Sequence, residues 1–237
     1  MRSEQATIFR QSQIADFQRN VHFWDTTTEI YADRLLYYEV SNQALATGSV
    51  QVIDRRSGSQ VAADTVLYER NLGLITARPR PQGIVLPQDT TSQEDPFHVW
   101  ADVMIFHNDS TGTEMDGLGK VLIERTDLTA VGDSLHYDER NRRVALRKEP
   151  RVETLETYLT AERIDVILEA NRIDALVARD RARAVDKTDS LPGTVSAVFD
   201  NVSDQSFLEG DSLIIEFAEG RIEWLVAQGN ARSLNYA

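Results

Sequence analysis

The chain has 237 residues, no cysteine, and 38 acidic against 25 basic side chains, for a net charge of −13. The missing thiols exclude a disulfide framework and thiolate chemistry, and the acidic balance speaks against a nucleic-acid partner, which needs a basic face. No run approaches the ~18 uninterrupted apolar residues of a membrane helix, so no membrane span is expected, and Met1-Arg2-Ser3-Glu4-Gln5 leads into a polar strand rather than a secretory signal.

In chain order the pattern is strand after strand. Arg19-Asn20-Val21-His22-Phe23 reads as a half-unit, followed by a strand over Ile30 to Glu39, a turn at Val40-Ser41-Asn42-Gln43 and a strand over Ala44 to Ile53. Arg78-Pro79-Arg80-Pro81 forbids a central ladder because proline at alternate positions removes donors; Arg147-Lys148-Glu149-Pro150 reads similarly. Pro87 to Pro96 is a polar insert loop. Thr157 to Asp180 has helical propensity, yet its apolar positions fall on the strand phase, which predicts two strands around a turn at Glu169-Ala170-Asn171-Arg172. A second insert, Asp186 to Gln205, holds the turn Ser190-Leu191-Pro192-Gly193 and a candidate extra strand over Thr194 to Phe199.

One phrase recurs through these elements: a small residue, an acid, a variable position, an apolar residue, a variable position, and an aromatic or aliphatic residue. It begins at Ala32-Asp33, Ala63-Asp64, Ala101-Asp102, Gly132-Asp133, Ala161-Glu162 and Gly210-Asp211. The acids are separated by 31, 38, 31, 29 and 49 residues, a period near thirty that signals an array of one supersecondary unit. A second phrase, glycine then a polar residue then alternating apolar ones, follows in Gly48-Ser49-Val50-Gln51-Val52, Gly119-Lys120-Val121-Leu122-Ile123 and Gly229-Asn230-Ala231-Arg232-Ser233. The expected fold is therefore all-β, in about six to seven two-strand repeats of ~30 residues, forming one domain over 1–237 with inserts near 87–96 and 186–205.

Apolar positions two apart share one face of a strand. That places Leu35 and Tyr37, Val66 and Tyr68, Met104 and Phe106, Leu135 and Tyr137, Ile164 and Val166, and Leu213 and Ile215 in one column, joined by Val21 and Phe23, Val50 and Val52, and Val121 and Ile123 from the second strands. Such a column forms either a dry core between two sheets or, where the sheets splay, an apolar trough. The recurring acids read either as a cation ladder or, because stacked like charges repel, as groups at strand entries bonding turn amides. His22, His98, His107 and His136 are dispersed, without metal-ligand spacing, and no nucleophile elbow or phosphate-cradling glycine loop occurs. Neither catalytic residues, nor a metal, nor a cofactor is expected.

The Ala-Asp-x-Leu-x-Tyr phrase, the stretch Ala44-Leu45-Ala46-Thr47-Gly48-Ser49-Val50-Gln51-Val52, the start of the next unit at Gln60-Val61-Ala62-Ala63-Asp64 and the closing Val226-Ala227-Gln228-Gly229-Asn230-Ala231-Arg232-Ser233 resemble the LptA/OstA family of lipopolysaccharide-transport proteins across nearly the whole chain. The resemblance implies an elongated open β-jellyroll of two facing antiparallel sheets, a periplasmic location, and a non-enzymatic role in which the apolar column binds the acyl chains of lipid A. It further implies head-to-tail edge-strand addition of other β-jellyroll components. Two alternatives stay open: a β-solenoid or adhesin-like scaffold with a closed core, and a polysaccharide hydrolase, for which Asp165 and Glu169 supply carboxylates.

Overall fold

The computed structural model describes residues 1–86, 96–109, 112–169, 172–187 and 206–234. Among these the chain is all-β, with nineteen strands, a single 3-10 turn at Arg70–Leu72 and no α-helix. The many antiparallel pairings are consistent with a β-jellyroll. The pair predicted around residues 169–172 is present as strands, and the helical propensity of that stretch is overridden by burial. Residues 87–95 and 188–205, which hold most of both inserts and the candidate strand Thr194 to Phe199, lie outside the described residues.

The chain divides into two compact units, Met1–Ile123 with Ser134–Asn141, and Glu124–Asp133 with Arg142–Ala237. The first contains β1 (Gln5–Phe9), β2 (Ile14–Trp24), β3 (Thr28–Tyr38), β4 (Gln43–Asp54), β5 (Gln60–Glu69), β6 (Leu74–Arg78), β7 (Gln82–Val85), β8 (Phe97–Trp100), β9 (Val103–Asp109), most of β10 (Gly112–Arg125) and the end of β11 (Leu128–Asp138). The second contains the start of β11, then β12 (Arg143–Arg147), β13 (Arg151–Thr154), β14 (Thr157–Thr160), β15 (Arg163–Glu169), β16 (Arg172–Asp186), β17 (Phe207–Ala218), β18 (Arg221–Gln228) and β19 (Arg232–Leu234).

In both units each pass of the chain is creased midway, and the two sequence phrases are the two kinds of crease. In an unbroken strand, residues i and i+3 face opposite sides. Yet Ala32 and Leu35 are both buried, as are Ala101 and Met104, and Ala161 and Ile164. The small-acid pair thus reverses the alternation and turns the strand from one layer into another. The residue before the acid is small because its side chain sits inside the fold at the crease.

The second kind is a left-handed corner. Arg19-Asn20, Gly48-Ser49, Gly119-Lys120, Lys148-Glu149, Asp180-Arg181 and Gly229-Asn230 all have positive φ, between 47° and 79°. The ladder skips there, between Gln18 and Val21, Thr47 and Val50, and Arg179 and Ala182. These skips are bulges that bend the strand. The half-unit at Arg19 is such a corner without its glycine. The proline stretch is the corresponding break between β6 and β7, with Arg80 at φ 48° and a cis bond at Arg78–Pro79.

The two creases interlock, and here one expectation is corrected. Only Asp33, Asp64, Asp133 and Asp211 depart from it, lying mid-strand in β3, β5, β11 and β17, whereas Asp102 and Glu162 stand at strand entries, directly before β9 and β15; Asp33, Asp102 and Asp211 each lie against a left-handed corner of a neighbouring pass. A Cβ on Gly48 would fall 2.5 Å from Asp33 Oδ2, and one on Gly119 2.6 Å from Asp102 Oδ2. The Asp102 and Asp211 N–H groups each donate to the facing glycine oxygen, of Gly119 and Gly229, at 2.8 Å. Where the corner lacks glycine a cation meets the acid instead, Lys148 with Asp133 at 3.4 Å and Arg181 with Glu162 at 2.5 Å.

In the first unit the two halves of the creased strands form facing layers. Phe23, at the far end of β2, lies 6.5 Å from the Tyr37 ring and 6.2 Å edge-on from Tyr68, both from the opposite layer. All three tryptophans point away from the interior: Trp24 and Trp224 are exposed, and Trp100 alternates with buried Val99 and Ala101.

Candidate functional site

The predicted apolar column faces inward throughout. In the first unit Val21, Phe23, Leu35, Val50, Val52, Val66, Tyr68, Met104, Val121, Ile123 and Leu135 are buried, and in the second so are Ile164, Val166, Leu213 and Ile215. Tyr37, Phe106 and Tyr137 are half-buried. Sequence reading missed Ile30, Ile75, Met115, Leu146, Leu159 and Leu176, which share the interior. Ile30 precedes Ala32 by two, so extending the alternation back across the crease would have found it.

In the first unit the open side of the layers carries a cavity lined by Val52, Val61, Ile75, Val85, Phe106, Met115 and Tyr137, with Asp54, Ser57, Thr113 and Glu139 at its rim. Its free volume is about 40 Å³, room for only a few waters. Polar contacts strap the layers together there. Arg56, from the β4–β5 turn, donates to Thr113 Oγ1 at 3.0 Å and lies 3.4 Å from Glu139 Oε2, which also accepts the Thr113 N–H at 2.6 Å. Tyr68 donates its hydroxyl to Asp25 Oδ2 at 2.8 Å, and Arg70 stands 3.4 Å from the same oxygen. Burial pushes the Asp25 carboxyl up, but bonds from the Thr27 amide, the Tyr68 hydroxyl and the Thr28 amide outweigh it and hold it below the usual range. The Tyr137 phenol is pushed up to about 12 by burial first, then by the negative charges of Glu139 and Asp138.

The second unit holds a roomier cavity of about 540 Å³, lined by Ala184, Phe207, Leu208, Ile222, Leu225 and Leu234, with Glu156 and Ser206 among its polar groups. That volume is in the range of small-molecule sites. Glu156 Oε2 accepts the Ile222 N–H at 3.0 Å, tying the β13–β14 turn to the start of β18 beside it. Asp165 lies under three arginines rather than paired with Glu169. Burial pushes its carboxyl up, and bonds from Arg147 and Arg143 override that and keep it below the usual range. It therefore stays charged and makes a poor proton acceptor.

No family model matches the chain, and no curated protein matches it. Among solved structures it is similar to LptH, the LptA-homologous periplasmic component of the lipopolysaccharide transport device from Pseudomonas aeruginosa, at 16% identity and a TM-score of 0.44, over 73% of this chain and 97% of that one.

Proposed function

We propose that the chain is a non-enzymatic periplasmic module of lipopolysaccharide transport, acting as one domain over 1–237, which shelters lipid A acyl chains between its two β layers. One observation carries it: the second unit opens an apolar pocket of about 540 Å³ lined by Leu208, Ile222 and Leu225, the last of which pairs with Ile215 of the apolar column. The sequence resemblance of the repeats supports the same reading. Each methylene moved from water into such a site gains about 0.8 kcal/mol as an upper estimate. An acyl chain therefore outweighs an exposed ion pair, worth ~0–1 kcal/mol, and the acidic surface is no obstacle. Loading the first unit requires the straps at Arg56 and Asp25 to part. Terminal strands such as β1, whose residues are all exposed, are the edges on which like-built neighbours add.

A second reading, a closed structural scaffold, is favoured by the nearly filled interior of the first unit. Photo-crosslinking residues at Tyr68, Phe106, Tyr137 and Leu225, in protein made in a lipopolysaccharide-producing host, distinguish the two. Transport predicts lipopolysaccharide adducts from these positions and none from the outward Arg34 and Asp64. Adducts from the outward positions alone, or from none, leave the scaffold.

A further inference from the structure

The outward face of the second unit carries a feature that neither a lipid-filled interior nor a scaffold requires. Arg147, Arg163 and Arg179 are direct cross-strand partners on β12, β15 and β16. Adjacent strands are ~4.8 Å apart, and like charges placed opposite one another destabilise a sheet. In a chain of net charge −13, such a row needs a reason. Arg143 joins it from the same face of β12. Between them lies Asp165, only 2% exposed, its oxygens taken by Arg143 Nη2 at 2.6 Å, Arg147 Nη1 at 2.8 Å and Arg179 Nη1 at 2.8 Å. Arg163 meets Asp180 Oδ2 through both Nε at 2.8 Å and Nη2 at 2.5 Å, leaving Nη1.

One bidentate arginine suffices to satisfy a carboxylate. Three guanidiniums share this one, each spending a single nitrogen on it. The four side chains remain a third to a half exposed. Four guanidiniums against Asp165 and Asp180 leave a local charge of +2. A buried acid that fixes several forks while leaving their outer N–H groups free is how a site for a planar or tetrahedral oxyanion is held in place.

We propose that Arg143, Arg147, Arg163 and Arg179, organised by Asp165, form a binding site for a phosphate monoester. A dianion matches the local excess, and its three terminal oxygens match forks spaced by one strand. A long polyanion is disfavoured, because the acidic remainder of the surface repels it beyond the ~8 Å Debye length at physiological salt. The site is on the outside of the sheet and stands whether or not the interior takes an acyl chain.

Calorimetric titration of the full chain with inorganic phosphate and with glucosamine 1-phosphate tests it, together with co-sedimentation on phosphatidylcholine vesicles with and without phosphatidic acid. Wild-type protein binds the phosphate probes, more weakly as salt rises. Arg143→Gln/Arg179→Gln lowers the affinity at least about tenfold. Arg163→Gln, which leaves the Asp165 bonds intact, keeps the wild-type melting temperature and still weakens binding several-fold. Binding to the soluble probes alone assigns a free phosphorylated ligand, and added binding to phosphatidic acid vesicles a lipid-borne one. Failure of every phosphate probe to bind, or equal affinity in wild type and Arg163→Gln, overturns the site and leaves the arginines as neutralisers of Asp165 and Asp180.

Discussion

Replacing Gly48 with alanine isolates the interlock between the two creases. At φ 79° an alanine costs ~1–2 kcal/mol for the left-handed conformation alone. Its Cβ would also fall 2.5 Å from Asp33 Oδ2 and 2.9 Å from Asp33 Cβ, so Asp33 must leave its rotamer, at a further ~0.5–1.5 kcal/mol. The sum, about 2–3 kcal/mol, is a large share of the ~5–15 kcal/mol that holds a typical domain. Urea unfolding followed by far-ultraviolet circular dichroism reads it. In an Asp33→Gly background, which removes the Cβ as well as the carboxylate, only the conformational part remains, so a double-mutant cycle returns a coupling of about 1 kcal/mol. Ser49→Gly is the control: Ser49 already holds φ 47° with a side chain, and its replacement stays within ~0.5 kcal/mol. A Gly48→Ala variant as stable as wild type, or a cycle with no coupling, refutes the interlock.

Arg56→Ala removes the strap to Thr113 and Glu139 at a stability cost below ~1 kcal/mol, since the pair is partly exposed, and should raise uptake of the apolar dye N-phenylnaphthylamine; unchanged uptake means the strap does not gate the cavity. Absorbance titration of tyrosinate should show one phenol ionising near pH 12, lost in Tyr137→Phe. Asp165 titrates below its ordinary 3.8 in the folded state, so it contributes stability that is present above that value and fades as pH falls through and below it. Asp165→Asn should destabilise the protein at pH 7 and flatten its loss of stability below pH 4; an unchanged acid limb speaks against the arginine cluster as its cause.

The alternation that placed eighteen side chains inside was legible because burial on one face leaves a period of two in the sequence. The reason for the small residue before each acid was not, since Ala32 or Ala161 reads as a weak strand former until the strand is seen to fold over it. The mid-strand acids were misplaced for the same cause: Asp33 looks like a turn residue, and only the facing glycine, fifteen positions on, shows what it covers. The corner at Lys148-Glu149 hides further, because a cation rather than a glycine answers Asp133. β1 was legible only as a polar strand following Met1 to Gln5, without bounds or a partner, because its exposed residues carry no alternation. The arginine cluster was available in principle: Arg143, Arg147, Arg163 and Arg179 all fall on the outward phase, but pairing register, which sequence does not give, is what brings them together.

The outward aim of Trp24, Trp100 and Trp224 makes the protein's native emission a witness to its surroundings rather than to its contents. A greasy guest arriving inside would leave that signal almost untouched, while a companion settling on the exterior would quench or shift it. Intrinsic fluorescence thus separates the two kinds of encounter without a label, and a tryptophan installed at Tyr137 would supply the missing view from within.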